Sequence, residues 1–118
     1  MRDTIKKYQD FRTADSDPSA RSAYFTIRAK KAKFQDDARV GFVATKRTFK
    51  LATDRNRAKR LLRDWVRFCS DLMLPQYDYI FIACANILHT ERETGRAAMA
   101  KALQHIVRKY NKNAGQDS

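Results

Sequence analysis

The chain has 118 residues, of which 43% are hydrophobic, and it carries a net charge of +12 at pH 7. This length and apolar content predict a single compact domain with one core. The excess of cations predicts a polyanionic partner, with nucleic acid favoured over an anionic membrane surface. Two cysteines are too few for a disulfide framework in a chain of this size, so we expect buried thiols.

Apolar spacing and turn residues predict the elements of the chain in order. Residues 4–12 have the spacing of a short amphipathic helix, and a cluster of Ser, Asp and Pro predicts a loop over 14–22. Strands are predicted over 23–29, 39–46 and 77–85, the last nearly continuous in apolar residues and therefore central in a sheet. That run is too short to span a bilayer, and the N-terminal residues contain no apolar signal segment, so we expect a cytoplasmic protein.

The first predicted strand has two different faces. Phe25 and Ile27 alternate with Tyr24, Thr26 and Arg28, which is typical of a strand with one face in the core and one in solvent. The second strand follows the same rule, with its inward positions at Val40, Phe42 and Ala44.

Two longer helices are predicted, over 54–70 and from Thr90 to about Tyr110. Asp54 is the simplest N-cap of the first helix, and Thr90 with Glu93 matches a capping box at the start of the second. Gly95 weakens the second helix by roughly 1 kcal/mol relative to alanine. Its predicted apolar face consists of Ala98, Met99, Ala102, Leu103, Ile106, Val107 and Tyr110.

This order of helix, strands, helix, strand and helix predicts an α+β sandwich, in which a small sheet packs against helices. We assign residues 1–112 to one domain and residues 113–118 to a flexible tail.

The positive charge is concentrated around the first long helix. Residues 46–67 contain nine basic and two acidic residues, a surplus of seven out of twelve for the whole chain. At 100° per residue from Arg55, an apolar stripe covers about 220–340° and a polar, mostly basic stripe about 40–140°. The apolar stripe consists of Ala58, Leu61, Leu62, Trp65, Phe68 and Cys69, and the polar stripe of Asn56, Lys59, Arg60, Arg63 and Arg67. Arg57, near 200°, lies off the main basic stripe, and Asp64, near 180°, is placed to moderate neighbouring cations.

A solvated helix face is the ordinary interpretation of such a pattern. This face is almost single-signed, so its cations repel one another instead of forming ion pairs. It is also mostly arginine, whose planar guanidinium suits phosphate oxygens and stacks on bases. We therefore predict a nucleic-acid-binding surface whose cations are held at fixed spacing by the buried stripe behind them.

The stretch "RVGFVATKR", followed by "RNRAKRLLRDW", resembles the signature of the bacterial ribonuclease P protein family. The matching residues are Arg39, Val40, Gly41, Lys46, Arg47, Ala52, Arg55, Asn56, Lys59, Arg60 and Arg63. "YQDF" and "YDYIFIA" also lie where the family has corresponding segments. The departures are Thr45 for a serine, Lys50 for a glycine, Asp15 for an aromatic residue, and one residue inserted before the arginine-rich helix.

The resemblance implies a four-stranded sheet with three helices, in the order α-β-β-β-α-β-α, and a left-handed β-α-β crossover around the arginine-rich helix. It implies the protein subunit of a ribonucleoprotein endoribonuclease that removes the 5′ leader of precursor tRNA. The RNA subunit would be the catalyst, and Mg²⁺ would be held by RNA and substrate, with no metal site on the protein. The free protein would be a monomer that binds the catalytic RNA through Lys46, Arg47, Arg55, Asn56, Lys59, Arg60, Arg63 and Arg67.

A cleft for the single-stranded leader is predicted at Phe11, Tyr24, Thr26 and Arg28. An outward Tyr beside an outward Arg can stack on and bind a single strand without reading its sequence. Core packing is an equally good interpretation of Phe11.

The chain itself is predicted to be non-catalytic. His89 and His105 lack metal-ligand spacing to each other and to the cysteines, and no Ser, Cys or Lys has an evident activating partner. The alternative function is a ribosomal or DNA-binding protein that uses the same helix.

Overall fold

The structure, a computed structural model, describes residues 19–31, 39–74 and 77–116. The predicted helix over 4–12, the candidate Phe11 and the departure at Asp15 lie outside these residues.

The described residues form a four-stranded sheet and two long helices. The elements are β1 (Ser19–Arg21), β2 (Phe25–Lys31), β3 (Arg39–Val43), α1 (Ala52–Phe68), β4 (Tyr77–Ala83) and α2 (Arg92–Gln116), with short 3-10 helices at Ser70–Leu72 and Ala85–His89. The strand order is β1-β2-β4-β3. β3 and β4 are parallel and connected through α1, whereas the other two pairs are antiparallel. The predicted α+β fold with a central β4 is confirmed, and the left-handed sense of the crossover stays a prediction.

The resemblance implied three strands before the arginine-rich helix, but the residue pattern did not place β1, which lies within the predicted loop over 14–22. Its three residues are too few to show an alternating pattern, and only Ala20 among them is buried. The strand is defined instead by its pairing, with Ala20 opposite Ile27. The turn that follows is closed by Ser22, whose amide donates to the Phe25 carbonyl oxygen (2.9 Å) and whose hydroxyl accepts from the Phe25 amide (3.2 Å).

The core lies between one face of the sheet and the two helices. Phe25, Ile27, Tyr79 and Phe81 are fully buried on this face, which confirms the alternation predicted for β2. In the edge strand β3, Phe42 is only half-buried, and its ring stacks on that of Phe81 with centroids 5.6 Å apart. Cys69 is buried as expected, whereas Cys84 is half-buried.

α1 is rotated about its axis relative to the prediction. Val66 is fully buried, although it lies outside the predicted apolar stripe, and Phe68 is 63% exposed. Val66 and Phe68 lie about 80° on either side of Ala58 on the helical wheel, so the pattern alone cannot distinguish them. Packing selects Val66, and the buried arc runs from about 280° to about 20°. The buried residues are Ala58, Leu62, Trp65, Val66 and Cys69.

The predicted helix starts are wrong in detail. α1 begins at Ala52 after Leu51, without a side-chain cap, and Asp54 lies in its first turn. A carboxylate at this position still interacts favourably with the helix dipole. The Thr90 hydroxyl donates to the carbonyl oxygen of Asn86 (3.0 Å) instead of capping α2, which begins at Arg92.

α2 uses most of its predicted apolar face and extends to Gln116, beyond the predicted end at Tyr110. Met99, Ala102, Leu103 and Ile106 are buried, and Ala98 and Val107 are half-buried. Among the described residues, no helix combines the length and apolar content needed to cross a bilayer.

Gly95 allows α2 to approach α1 closely. A Cβ atom at this position would overlap the six-membered ring of Trp65. We expect Gly95→Ala to lower the free energy of unfolding by about 1–3 kcal/mol through overpacking, although alanine favours a helix by about 1 kcal/mol. Urea unfolding measures the change, and Trp65→Phe in the same chain should recover part of it by making room. A Gly95→Ala variant as stable as the parent would contradict this close packing.

The stability of the folded chain should depend on the ionisation of Tyr79 at alkaline pH. Burial raises the pKa of Tyr79 to about 12, although the Leu74 amide, which donates to its hydroxyl at 2.8 Å, acts in the opposite direction. The unfolded phenol has a pKa of about 10. The contribution of the neutral, buried Tyr79 to stability is therefore complete below pH 10 and is lost as the pH rises through about 12.

Unfolding of the parent chain and of Tyr79→Phe should therefore be compared across this range. We expect the stability difference between them to change by roughly 2–3 kcal/mol, at 1.4 kcal/mol per pKa unit. Parallel curves would show that Tyr79 does not titrate with unfolding.

Candidate nucleic-acid interface

The loop between β3 and α1 is an ordered turn that displays cations. The Thr45 hydroxyl accepts from the Thr48 amide (3.2 Å), and the Thr45 carbonyl oxygen accepts from the Phe49 amide (2.9 Å). Phe49 is 3% exposed and anchors the turn in the core. Lys46 and Arg47 are exposed at its tip. β3 ends at Val43, so Lys46 lies in the turn and not in the predicted strand over 39–46.

Arg55 ties this turn to the helix. Its Nη1 atom donates to the carbonyl oxygens of Phe49 (2.9 Å) and Lys50 (3.2 Å). The side chain is half-buried, whereas Lys50, at the position where the resemblance leads us to expect a glycine, is exposed. Arg55 was predicted to contact RNA, and in the structure its guanidinium positions the residues that carry the exposed charge.

The exposed arc of α1 carries the remaining cations. Asn56, Arg57, Arg60, Arg63 and Arg67 are exposed, and Lys59 is half-buried. Because the helix is rotated, the exposed arc is centred near 140°, so Arg57 lies on it and Lys59 lies towards its edge. We call the exposed residues of the turn and the helix the cationic surface: Lys46, Arg47, Lys50, Asn56, Arg57, Arg60, Arg63 and Arg67.

This surface is held rigidly and has one sign of charge. The guanidinium of Arg63 lies 5.5 Å from the centroid of the Phe42 ring, which fixes one flank of the helix against β3. Asp64, predicted to moderate cations on its own helix, pairs instead with Arg96 of α2 at 3.3 Å. A fixed, single-signed surface is suited to a phosphate backbone.

The outer face of the sheet, opposite the helices, carries a second polar group. Arg28 is exposed and Thr26 is half-buried on this face of β2. Beside them, Arg39 donates from Nε to Oδ1 of Asp78 (2.9 Å) and from Nη2 to Oδ2 (2.6 Å). Asp78 is 3% exposed. This pair was missed, although an acid within the apolar run "YDYIFIA" signals a need for a charged partner.

Tyr24 does not share that outer face, contrary to the prediction. It lies in the turn before β2, because the strand begins at Phe25. Its side chain lines a cavity of 480 Å³ between this turn and α2, together with Lys101, His105 and Arg108. The leader-cleft candidates are thus separated, with Thr26 and Arg28 on one side of the sheet and Tyr24 on the other.

Within the described ranges, no three His, Cys, Asp or Glu side chains come together as metal ligands would.

Comparison with known proteins identifies the family of this chain. The model of the ribonuclease P family matches residues 1–107. The chain belongs to the ribonuclease P protein family. The ribonuclease P protein component of Caulobacter vibrioides is 40% identical over 81 residues, which cover 67% of this chain and 54% of that protein. The chain thus spans about half the length of that relative. The Haemophilus influenzae protein component is 33% identical over 88 residues, covering 75% of this chain and 72% of the relative.

Solved ribonuclease P proteins share the fold. The Staphylococcus aureus protein superposes with a TM-score of 0.71 at 24% identity, over 86% of this chain and 92% of that one. The Thermotoga maritima protein gives a TM-score of 0.62 at 21% identity, over 73% and 80% of the two chains.

Proposed function

We propose that this chain is the protein subunit of a ribonuclease P ribonucleoprotein. In that role it binds the catalytic RNA and assists Mg²⁺-dependent removal of the 5′ leader from precursor tRNA. The observation that carries the proposal is the cationic surface on the family's fold. Five of its members, Asn56, Arg57, Arg60, Arg63 and Arg67, are exposed along one arc of a helix whose opposite side is buried.

The cationic surface would bind RNA through its phosphates. Each cation that neutralises a phosphate releases condensed counterions, so affinity falls steeply with salt. Arg60 and Arg67 are two turns apart on α1, about 10 Å at a rise of 1.5 Å per residue. Because the turn is anchored by Phe49 and tied by Arg55, its backbone is already ordered, and binding has to order mainly the exposed side chains, at about 0.5–1.5 kcal/mol each.

Mg²⁺ would be bound by the RNA and the substrate and would supply the activated water and the charge stabilisation of the cleavage step. The cations of the protein would neutralise phosphates that otherwise require added Mg²⁺. The protein would thereby lower the Mg²⁺ concentration at which the RNA is active.

The leader would lie on the outer face of the sheet, where Arg28 and Thr26 are accessible from β2. An arginine there can pair with a phosphate or stack on a base without reading sequence. Tyr24 lies beside residues of α2 and would not contact the leader on this face.

The proposal is tested against a ribosomal or DNA-binding role by comparing ligands. We expect this protein to bind a bacterial ribonuclease P RNA more tightly than a ribosomal RNA fragment or duplex DNA of equal length at the same salt concentration. Equal affinity for the three would show general polyanion binding and would contradict a dedicated subunit.

The rotation of α1 predicts a ranking of single variants. Arg57→Ala should weaken RNA binding about as much as Arg60→Ala, because both side chains are exposed on the same arc. Lys59→Ala should weaken it less, since Lys59 is half-buried. Titration of each variant with ribonuclease P RNA measures the order. If Lys59→Ala is the most damaging, the RNA approaches from the β3 side of the helix.

A further inference from the structure

Phe68 is an aromatic ring at the end of the cationic surface. It is the last residue of α1, follows Arg67 directly, and is 63% exposed. Single exposed apolar residues are common and require no explanation by themselves. The surroundings of this ring distinguish it.

The Phe68 ring is contacted by a cation from the neighbouring helix. The guanidinium of Arg96, from α2, lies 4.3 Å from the ring centroid. Arg96 is itself held by Asp64, with Nη2 to Oδ1 at 3.3 Å and Nε to Oδ2 at 3.4 Å. Asp64 lies one helical turn before Phe68 on α1, so the ring, the guanidinium and the carboxylate connect the two helices. A cation over a ring contributes about 0.5–1 kcal/mol at an exposed site, enough to favour one orientation of the ring.

We propose that Phe68 is a stacking platform for an unpaired base of RNA bound to the cationic surface. This inference rests on the proposed function and names one contact within it. An aromatic ring with one favoured orientation can stack on any base, because every base has a π-face. The base must be unpaired, because bases within a duplex are already stacked on both faces and proteins reach bases mainly in loops and single strands.

The neighbouring charges favour RNA over a protein partner at this ring. Arg67 is adjacent, and Arg60 is exposed on the same arc, so phosphates held by these residues would flank a base placed on Phe68. A Phe beside arginines would by itself suit a protein partner as well, but the exposed residues of α1 that lead to this ring carry one sign of charge, which favours a polyanion such as RNA.

Three substitutions separate stacking from apolar contact. Phe68→Ala and Phe68→Leu should weaken binding to ribonuclease P RNA by about 5- to 150-fold, the range for one base–aromatic stack. Phe68→Trp should bind as tightly as the parent chain or more tightly. The slope of log affinity against log salt should stay unchanged in all three, because no phosphate contact is lost, whereas Arg60→Ala should flatten it.

Fluorescence gives a readout that does not depend on affinity. In Phe68→Trp the new indole is at the surface, while Trp65 is fully buried and supplies a constant background. We expect ribonuclease P RNA to change the emission of the new indole and inorganic polyphosphate, which has charge but no bases, to leave it unchanged.

Each other outcome overturns the proposal. If Phe68→Ala binds with full affinity and Arg60→Ala binds weakly, Phe68 does not stack on a base, and the proposed function stays intact. Full affinity of Phe68→Leu would assign the ring to apolar contact, and an equal response to polyphosphate would assign the fluorescence change to charge. Full affinity of both Phe68→Ala and Arg60→Ala would overturn the stacking proposal together with the RNA-binding role of α1.

Discussion

Trp65→Ala should lower the free energy of unfolding by about 3–5 kcal/mol, the range for deletion of a large buried aromatic side chain. Trp65 is fully buried in the core between the sheet and the helices. Its ring lies 6.1 Å from that of Phe25 in β2 and against Gly95 in α2. The substitution therefore removes a contact shared by three elements, and chemical denaturation followed by circular dichroism would measure the loss.

Trp65→Phe is the matched control. Within the described part of the chain, the buried Nε1 of Trp65 has no hydrogen-bond partner, and burying an unpaired donor costs about 1–3 kcal/mol. Phenylalanine removes that donor and keeps most of the aromatic volume, so it should destabilise clearly less than alanine. An unchanged midpoint for Trp65→Ala would mean that α1 packs on another side, and the cationic surface would then have to be redrawn.

The second large effect is expected from removing three cations at once. Arg60, Arg63 and Arg67 are exposed, and each phosphate contact contributes about 0.7–0.9 to the salt slope. The triple alanine variant should flatten the slope by about 2–3 and weaken binding to ribonuclease P RNA by about 100-fold near 0.15 M salt. The fold should lose no more than about 1 kcal/mol, because exposed charges contribute little to folding and the contact of Arg63 with the Phe42 ring contributes about 0.5–1 kcal/mol.

The chain offers a control with equal charge. Arg92, Lys101 and Arg108 are exposed on α2, outside the cationic surface, and their triple alanine variant loses the same three charges. We expect a much smaller change in affinity and slope for this control. An equal loss in the two variants would show that net charge, and not the surface on α1, determines RNA binding.

The fold could be predicted where burial repeats with a regular period. β2 alternates and β4 is continuous, so both were found from apolar spacing, although β2 runs over Phe25–Lys31 and not over 23–29. β1 could be implied by the resemblance but not placed from the residues, because its three residues are specified by pairing with β2 and not by a pattern of their own. Tyr24 was misplaced for a related reason, since the Ser22 turn interrupts the alternation one residue before the strand begins.

The candidate site was predicted in outline but not in orientation. The separation of cations from apolar residues on α1 is visible in the sequence, because a buried stripe excludes charge. Whether Val66 or Phe68 completes that stripe depends on the shape of the core. The role of Arg55 as a tie to the turn depends on where the carbonyl oxygens of Phe49 and Lys50 point, which side-chain patterns do not encode.

The most direct test of the account is cleavage of a precursor tRNA at limiting Mg²⁺, with ribonuclease P RNA alone, this protein alone, and both together. We expect slow cleavage by the RNA alone, efficient cleavage by the combination at the same Mg²⁺ concentration, and none by the protein after ribonuclease treatment. Cleavage by the RNA-free protein would contradict the account. An unchanged Mg²⁺ requirement when the protein is added to the RNA would contradict it equally.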